Sequence, residues 1–386
     1  MARKLKSDRL LFVATVGLVC ASLVMVYSSS AVLGLEQYKD RPTYFLFKQA
    51  TFALLGFALM QVLMRVDYRR YRQPGLIWTV LGMTAIGLVV VLFGARINGA
   101  RRWFNVAGVG VQPSEFAKLA VIFFVAAVLE RRMDRIDDLR YSLLPVGVVL
   151  GCVVALIMLQ PDLGTALSII VIVAAMVFAA GINYRYIVGL MLVALPAAYV
   201  VLMSADYRRR RIEVFLDPWK DPLGDGFQVI QSLIAVGTGG VFGRGLMAGV
   251  QKLYYLPYPH TDFIYAVIGE ELGLIGTTVI LACFCVIAWR GMRTALRAPD
   301  RFGAFLALGL TAMVVVQAFF NISVVLGLLP TKGIPLPFVS FGGSSLLMSL
   351  IGMGILLNVS QHASTSHVVT SVIEPLSGLP GTTADA

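Results

Sequence analysis

The sequence predicts an all-α, multi-pass membrane protein of about ten transmembrane helices, and three observations carry that prediction. Of 386 residues, 58% are apolar and only 14% charged, whereas soluble chains carry about 25% charge. Mean hydropathy is +0.82. The apolar residues also gather into ten runs close to the roughly 20 residues a helix needs to cross a bilayer, with one long polar interruption between the seventh and the eighth.

The first run, Leu10–Met25, follows Arg3, Lys4 and Lys6 and precedes Ser28, Ser29, Ser30 and Ala31, a layout shared with signal peptides. The second, Phe45–Met64, comes soon after and favours a retained first helix. Pro74–Phe93, Pro113–Leu129, Leu143–Leu159, Gly164–Ala180, Ile187–Met203, Phe263–Trp289, Phe302–Leu326 and Leu346–Val359 complete the set. With the N-terminus inside, the cytoplasmic segments hold 17 Lys or Arg and the outer ones 13, of which seven lie in the single long segment. The positive-inside rule loses force over such a segment, so both termini are expected in the cytoplasm.

That outer segment, about 206–262, carries Arg208–Arg211, two Asp-Pro pairs and a Gly-rich stretch at 237–249. Phe215, Trp219, Phe227, Ile230, Leu233, Tyr254 and Tyr255 run through it at a density that calls for burial. Loops of this length usually serve function. Residues 1–361 read as one transmembrane domain, and 362–386, rich in Ser, Thr, Gly and Pro, as a disordered cytoplasmic tail.

Cys20, Cys152, Cys283 and Cys285 all sit in apolar runs without His or Cys at metal-ligand spacing, which argues against zinc or a disulfide framework. The net charge of +11 lies between hydrophobic runs. Without a soluble basic domain to hold a duplex, that charge suits anionic lipids rather than nucleic acid.

An ionisable group at membrane depth costs several kcal/mol and needs a partner or a task. Lys48 lies near the outer end of the second run, Glu115 and Lys118 open the fourth, Asp162 divides the fifth from the sixth, and Glu270 and Glu271 lie within the eighth. Glu115 and Lys118, at i, i+3, read either as a self-neutralising pair or as charges serving a site. Arg101 and Arg102 stand beside Trp103 and Phe104; arginine grips phosphate in a bidentate fork, and aromatics anchor at the lipid interface. Asp162 reads as a helix cap or a site residue. The strongest constellation is Lys252–Phe263, where His260 and Asp262 stand at the point a long loop re-enters the membrane. Partial desolvation there raises a carboxylate's proton affinity and makes it a better base; a helix cap is the alternative. Pro330–Ser345 is non-helical at helix-end depth, which is tolerated where backbone lines protein or a wet cavity.

Pro161-Asp-Leu-Gly-Thr165, His260-Thr-Asp-Phe263 with Gly269-Glu-Glu-Leu-Gly273, and Gly333-Ile-Pro-Leu-Pro337 with Ser340-Phe-Gly-Gly-Ser-Ser345 resemble, in order, the FtsW/RodA (SEDS) family, over the chain from the first run to about Gln361. Thr331–Gly333 and Tyr207–Pro218 look more like its cell-division branch than its elongation branch. Tyr258 stands where the family commonly carries Glu, and Phe341 where Tyr is common.

The resemblance implies a peptidoglycan glycosyltransferase of the bacterial cytoplasmic membrane. It would polymerise lipid II on the extracytoplasmic side with a class B penicillin-binding transpeptidase and other divisome proteins. Asp262 falls on the family's proposed catalytic aspartate. The chemistry asks for a base for the acceptor hydroxyl and positive charge for the leaving pyrophosphate. Arg101, Arg102, Lys118, Lys252 and Lys332 are the candidate contacts, with or without a divalent cation, Mg or Mn; Glu115, Asp162, His260, Ser340 and Ser344 complete the expected substrate site. A lipid II flippase and a scaffold that only activates a transpeptidase are the rival readings. Small residues permit close helix approach; the eighth run holds Gly269, Gly273 and Gly276 and the ninth Gly303, Ala304, Ala307 and Gly309. Packing against neighbouring spans of the same chain is the alternative for each, and only the ninth run is expected to form part of the partner surface.

Overall fold

The computed structural model describes residues 7–38, 41–94, 100–106, 109–135, 138–183, scattered positions between 185 and 203, 206–224 and 226–373. Its helices are α1 (Arg9–Gln37), α2 (Tyr44–Leu63), α3 (Pro74–Val90), α4 (Pro113–Arg132), α5 (Leu144–Met158), α6 (Leu163–Ala179), α7 (Asp206–Leu216), α8 (Phe227–Gly239), α9 (Ile264–Leu296), α10 (Arg301–Val325) and α11 (Gly343–Ile373). Among the described residues, seven helical stretches are long and apolar enough to cross a membrane, and α6 and α8 are shorter apolar helices. The expected seventh run, Ile187–Met203, and the tail beyond 373 lie largely outside the described residues. Among the described residues the strands are those of a short hairpin, β1 (Phe104–Val106) against β2 (Val109–Val111), paired Phe104 to Val111.

Burial sorts the helices into a centre and a rim. The apolar windows of α10 and α11 are 72% and 83% buried, against 22% for α2 and 28% for α3, so the first two are core and the others face lipid on one side. α4 belongs to the centre: fifteen of its residues are buried, Glu115 and Lys118 among them. α11 lies close along α2, where Gly354 is what lets its backbone approach the Met60 carbonyl; a Cβ there would stand 2.9 Å from that oxygen.

The expected eighth span is two half-helices. α9 breaks at Gly273, whose φ of +65° is open only to glycine without strain. A break inside a membrane strands backbone groups that lipid cannot satisfy, and the loop after α8 satisfies them. Arg244 and Gly245 donate their amides to the carbonyls of Glu270 and Glu271 at 3.0 Å, while Leu274 and Ile275 donate to Gly240 and Val241. Glu270 accepts from the amides of Val250 and Gln251 and pairs with Arg244; Glu271 pairs with Lys252 at 2.6 Å and accepts from Ser28. The "loop" of 206–262 is therefore a structured, partly re-entrant unit.

Of the small residues expected in a partner surface, Gly303, Ala307 and Gly309 pack inside the bundle, while Ala304 is half-buried. Gly269 faces Val236 of α8, Gly303 the Tyr68 ring, and Gly309 Ile122 and Met176, while Ala307 is fully buried. At one end of the bundle, Asp8 caps α1 and pairs with Arg290, its amide reaches Ser360, and Tyr68 bonds the Asp300 that caps α10. The start of α1 and the late part of α11 thus share a side. The irregular segments around 160–165, 256–263 and 330–342 occupy the opposite end.

Candidate functional site

At that opposite end the hairpin, the start of α4 and the segments 258–263 and 331–343 enclose a cavity of about 790 Å³. Arg102, Glu115, Lys118, His260, Asp262 and Lys332, six of the expected substrate-site residues, line it together, joined by Lys48, Arg211 and Gln317.

Asp262 precedes α9 but does not cap it: the N-cap is Phe263, and no side chain bonds the first turn. No group among the described residues bonds its carboxylate, which is packed against Gly333, where a Cβ would stand 3.0 Å from Oδ2. Burial pushes its pKa up to about 6, opposed by the nearby charges of Arg102 and Arg211 and reinforced by Asp162. His260 lies against the rings of Phe45 and Phe341, with centroids 5.0 and 5.6 Å away, and burial lowers its pKa to about 4. It is therefore neutral near pH 7, an apolar-seated wall rather than a cation.

Lys118 pairs with Glu115 at 2.8 Å and also donates to Gln317 Oε1 at 2.7 Å, so the pair is not self-contained. Arg102 is anchored by the carbonyls of Gln160 and Pro161 and stands 4.0 Å from Asp162. Arg211 donates to Thr331 O at 3.0 Å, beside Lys332, whose ammonium is pushed below its usual pKa by burial and by that guanidinium.

Other expected site residues stand behind the cavity or away from it. Asp162 caps α6 through the Thr165 amide and accepts from Gln112 Nε2, so it holds the wall together. Arg101 turns to Leu92 O. Ser340 accepts from the Leu336 amide and donates to Thr261 O, fixing the His260–Asp262 segment, and Ser344 is buried at the start of α11. Lys252 is spent on Glu271 and Ser28 near the break in α9, which withdraws it from any pyrophosphate. Gln317 and Asn321 were missed. Their signal, two amides at i, i+4 in an apolar run, is plain in the sequence. Among the described residues no three His, Cys, Asp or Glu side chains gather to hold a metal, and the chemistry below uses the chain's own groups.

The model of the FtsW/RodA/SpoVE family, described as "Cell cycle protein", matches residues 8–365. The chain belongs to that family. Within it, the chain is 46% identical over 355 residues to the "Probable peptidoglycan glycosyltransferase FtsW" of Geobacter sulfurreducens, covering 92% of this chain and 95% of the relative. It is 43% identical to the "Stage V sporulation protein E" of Bacillus subtilis, covering 94% and 99%. Among solved structures, one described as "Structural coordination of polymerization and crosslinking by a peptidoglycan synthase complex" superposes with a TM-score of 0.77 at 33% identity, covering 93% of this chain and 99% of that one. The Rod shape determining protein RodA of Thermus thermophilus superposes at 0.68 and 28% identity, covering 92% and 97%.

Proposed function

We propose that this chain polymerises lipid II into glycan strands during septal cell-wall synthesis, by inverting transfer with Asp262 as general base. The observation that carries the reading is a carboxylate without a bonding partner among the described residues, with raised proton affinity, on the wall of a cavity lined by Lys118, Arg102, Arg211 and Lys332. The names of the relatives support the reaction class. Asp262 takes the proton of the acceptor hydroxyl as its oxygen bonds the anomeric carbon of the donor sugar. The bond from that carbon to the pyrophosphate oxygen breaks, and the lipid pyrophosphate leaves with the electron pair. Cations preset around the cavity stabilise the leaving charge without reorganising. One displacement needs one carboxylate, by analogy with inverting glycosidases, which suits the absence of a carboxylate at position 258.

In this reading the protein lies in the bacterial cytoplasmic membrane with the cavity outside and both ends in the cytoplasm. It works with a class B penicillin-binding transpeptidase and other division proteins. A flippase reading draws on the broken α9, since discontinuous helices serve transporters. Yet Glu270 and Glu271 are consumed by Arg244, Lys252, Ser28 and backbone amides, which supports the enzyme over the transporter. The test is polymerisation of lipid II by purified protein. Asp262→Asn should lose ~10²- to 10⁴-fold in rate while inserting normally. More than about a tenth of wild-type polymerisation would leave Asp262 without the role.

A further inference from the structure

α10 carries two side chains that a purely apolar helix would not need. Gln317 and Asn321 stand at i, i+4, each only 2% exposed, and a buried amide is costly unless bonded. What they bond is irregular backbone from two separate segments. Asn321 Nδ2 donates to Asp262 O at 2.8 Å and to Ile334 O at 2.7 Å. Gln317 Nε2 donates to Pro335 O at 2.9 Å while its Oε1 accepts from Lys118. Two carbonyl acceptors oblige the nitrogen end of the Asn321 amide to face them, and its Oδ1 is buried without a partner among the described residues. The residue is therefore present for its donors. Asp262, Ile334 and Pro335 lie outside regular secondary structure, so their carbonyls have no helical partner to turn to.

We propose that Asn321 and Gln317 are positioning residues for the transfer: they peg the segment bearing Asp262 and the segment 331–335 to one rigid helix. The carboxylate, the Gly333 backbone packed against it, and the cations Lys118 and Lys332 thereby keep one relative geometry. This rests on Asp262 acting as the base. Asn321 acts only through backbone, and Gln317 additionally holds Lys118. Neither peg is titratable, whereas Arg102, Arg211 and Asp162 set the charge around Asp262 and Lys332 and His260 share its cavity wall. A change in the acid limb caused by a peg variant therefore reports altered surroundings of the carboxylate rather than a lost charge.

The experiment measures kcat, KM and the pH profile of lipid II polymerisation by the purified full chain, with thermal unfolding in parallel. Asn321→Ala should lower kcat on the order of 10²-fold, the scale of a misplaced reacting group, with KM little changed. Its acid limb should move to lower pH, because a loosened segment admits water to the carboxylate. Gln317→Met adds no charge, leaves Lys118 its bond to Glu115 and cannot donate to Pro335 O, and should show a smaller loss of the same kind. It carries the test by the same measures if Asn321→Ala does not fold. Wild-type kcat and limb in these variants, or activity lost only in step with folded protein while the limb stays put, overturns the proposal. If Asp262→Asn is itself active, the base assignment fails and this inference with it; if Asp262→Asn is dead while the peg variants run like wild type, only this inference fails.

Discussion

At Asp262, burial and positive charge pull in opposite directions, and burial prevails. A base works ionised, so polymerisation should fall as pH drops through about 6 and level off above it. A limb in the ordinary carboxylate range would point to another base. The same shift has a cost in stability. A carboxylate whose folded pKa lies above its unfolded 3.8 gives stability that is fully present below the unfolded value and is lost as pH rises through about 6. Asp262→Asn should therefore melt higher than wild type at neutral pH, with the gap closing in acid; melting curves of both proteins on either side of the limb check this. Lys118 offers a second test. In the double variant Glu115→Lys, Lys118→Glu, a carboxylate would face the Gln317 Oε1 that Lys118 now bonds. Turning the amide to suit would break its bond to Pro335. Activity should fall at least about tenfold, the scale of one unmade buried hydrogen bond, with normal expression. Preserved activity would make the pair merely structural.

The broken α9 belongs to the scale of elements. Its apolar pattern reads as one continuous span because hydropathy is blind to φ, and only the Gly243–Gly273 approach, where a Cβ on Gly273 would stand 2.3 Å from the Gly243 amide, shows the break. The carboxylates at the break are held by cations from elsewhere in the chain. Lys252→Met alone leaves Glu271 buried and unpaired, a loss of roughly 3–5 kcal/mol. Adding Glu271→Gln should recover most of it, as read by thermal unfolding; equal damage in single and double variants would show that the pair does not matter. Three of the four small residues marked on α10, Gly303, Ala307 and Gly309, are taken up within the bundle for a related reason. Spacing shows that a face permits close approach, not whose helix approaches it, and Tyr68, Ile122 and Met176 of the same chain arrive there.

For the whole molecule, the clasp of Asp8 with Arg290 and Ser360 puts the two described ends of the bundle on one side and the cavity on the other. With the free native cysteines replaced, single cysteines at 220 and 258 should react with a membrane-impermeant thiol reagent on intact cells, and those at 70 and 297 only after permeabilisation. The reverse pattern would put the cavity in the cytoplasm.

The sequence by itself determined the membrane class, most of the spans and many of the charged residues that line the cavity. Run length and charge scarcity are local properties, and a carboxylate beside a histidine at a helix start is legible wherever the chain goes. Glu115, Lys118, Arg102, His260, Asp262 and Lys332 could all be named from it. Only the tertiary structure decided which charges face the cavity and which hold the bundle. Lys252 and Lys332 stand in similar surroundings in the sequence, yet one meets Glu271 behind the helix break while the other lines the cavity. An ion pair forms where two distant segments meet in space. That meeting is set by the packing of α1, α9 and α10, and no window along the chain contains it.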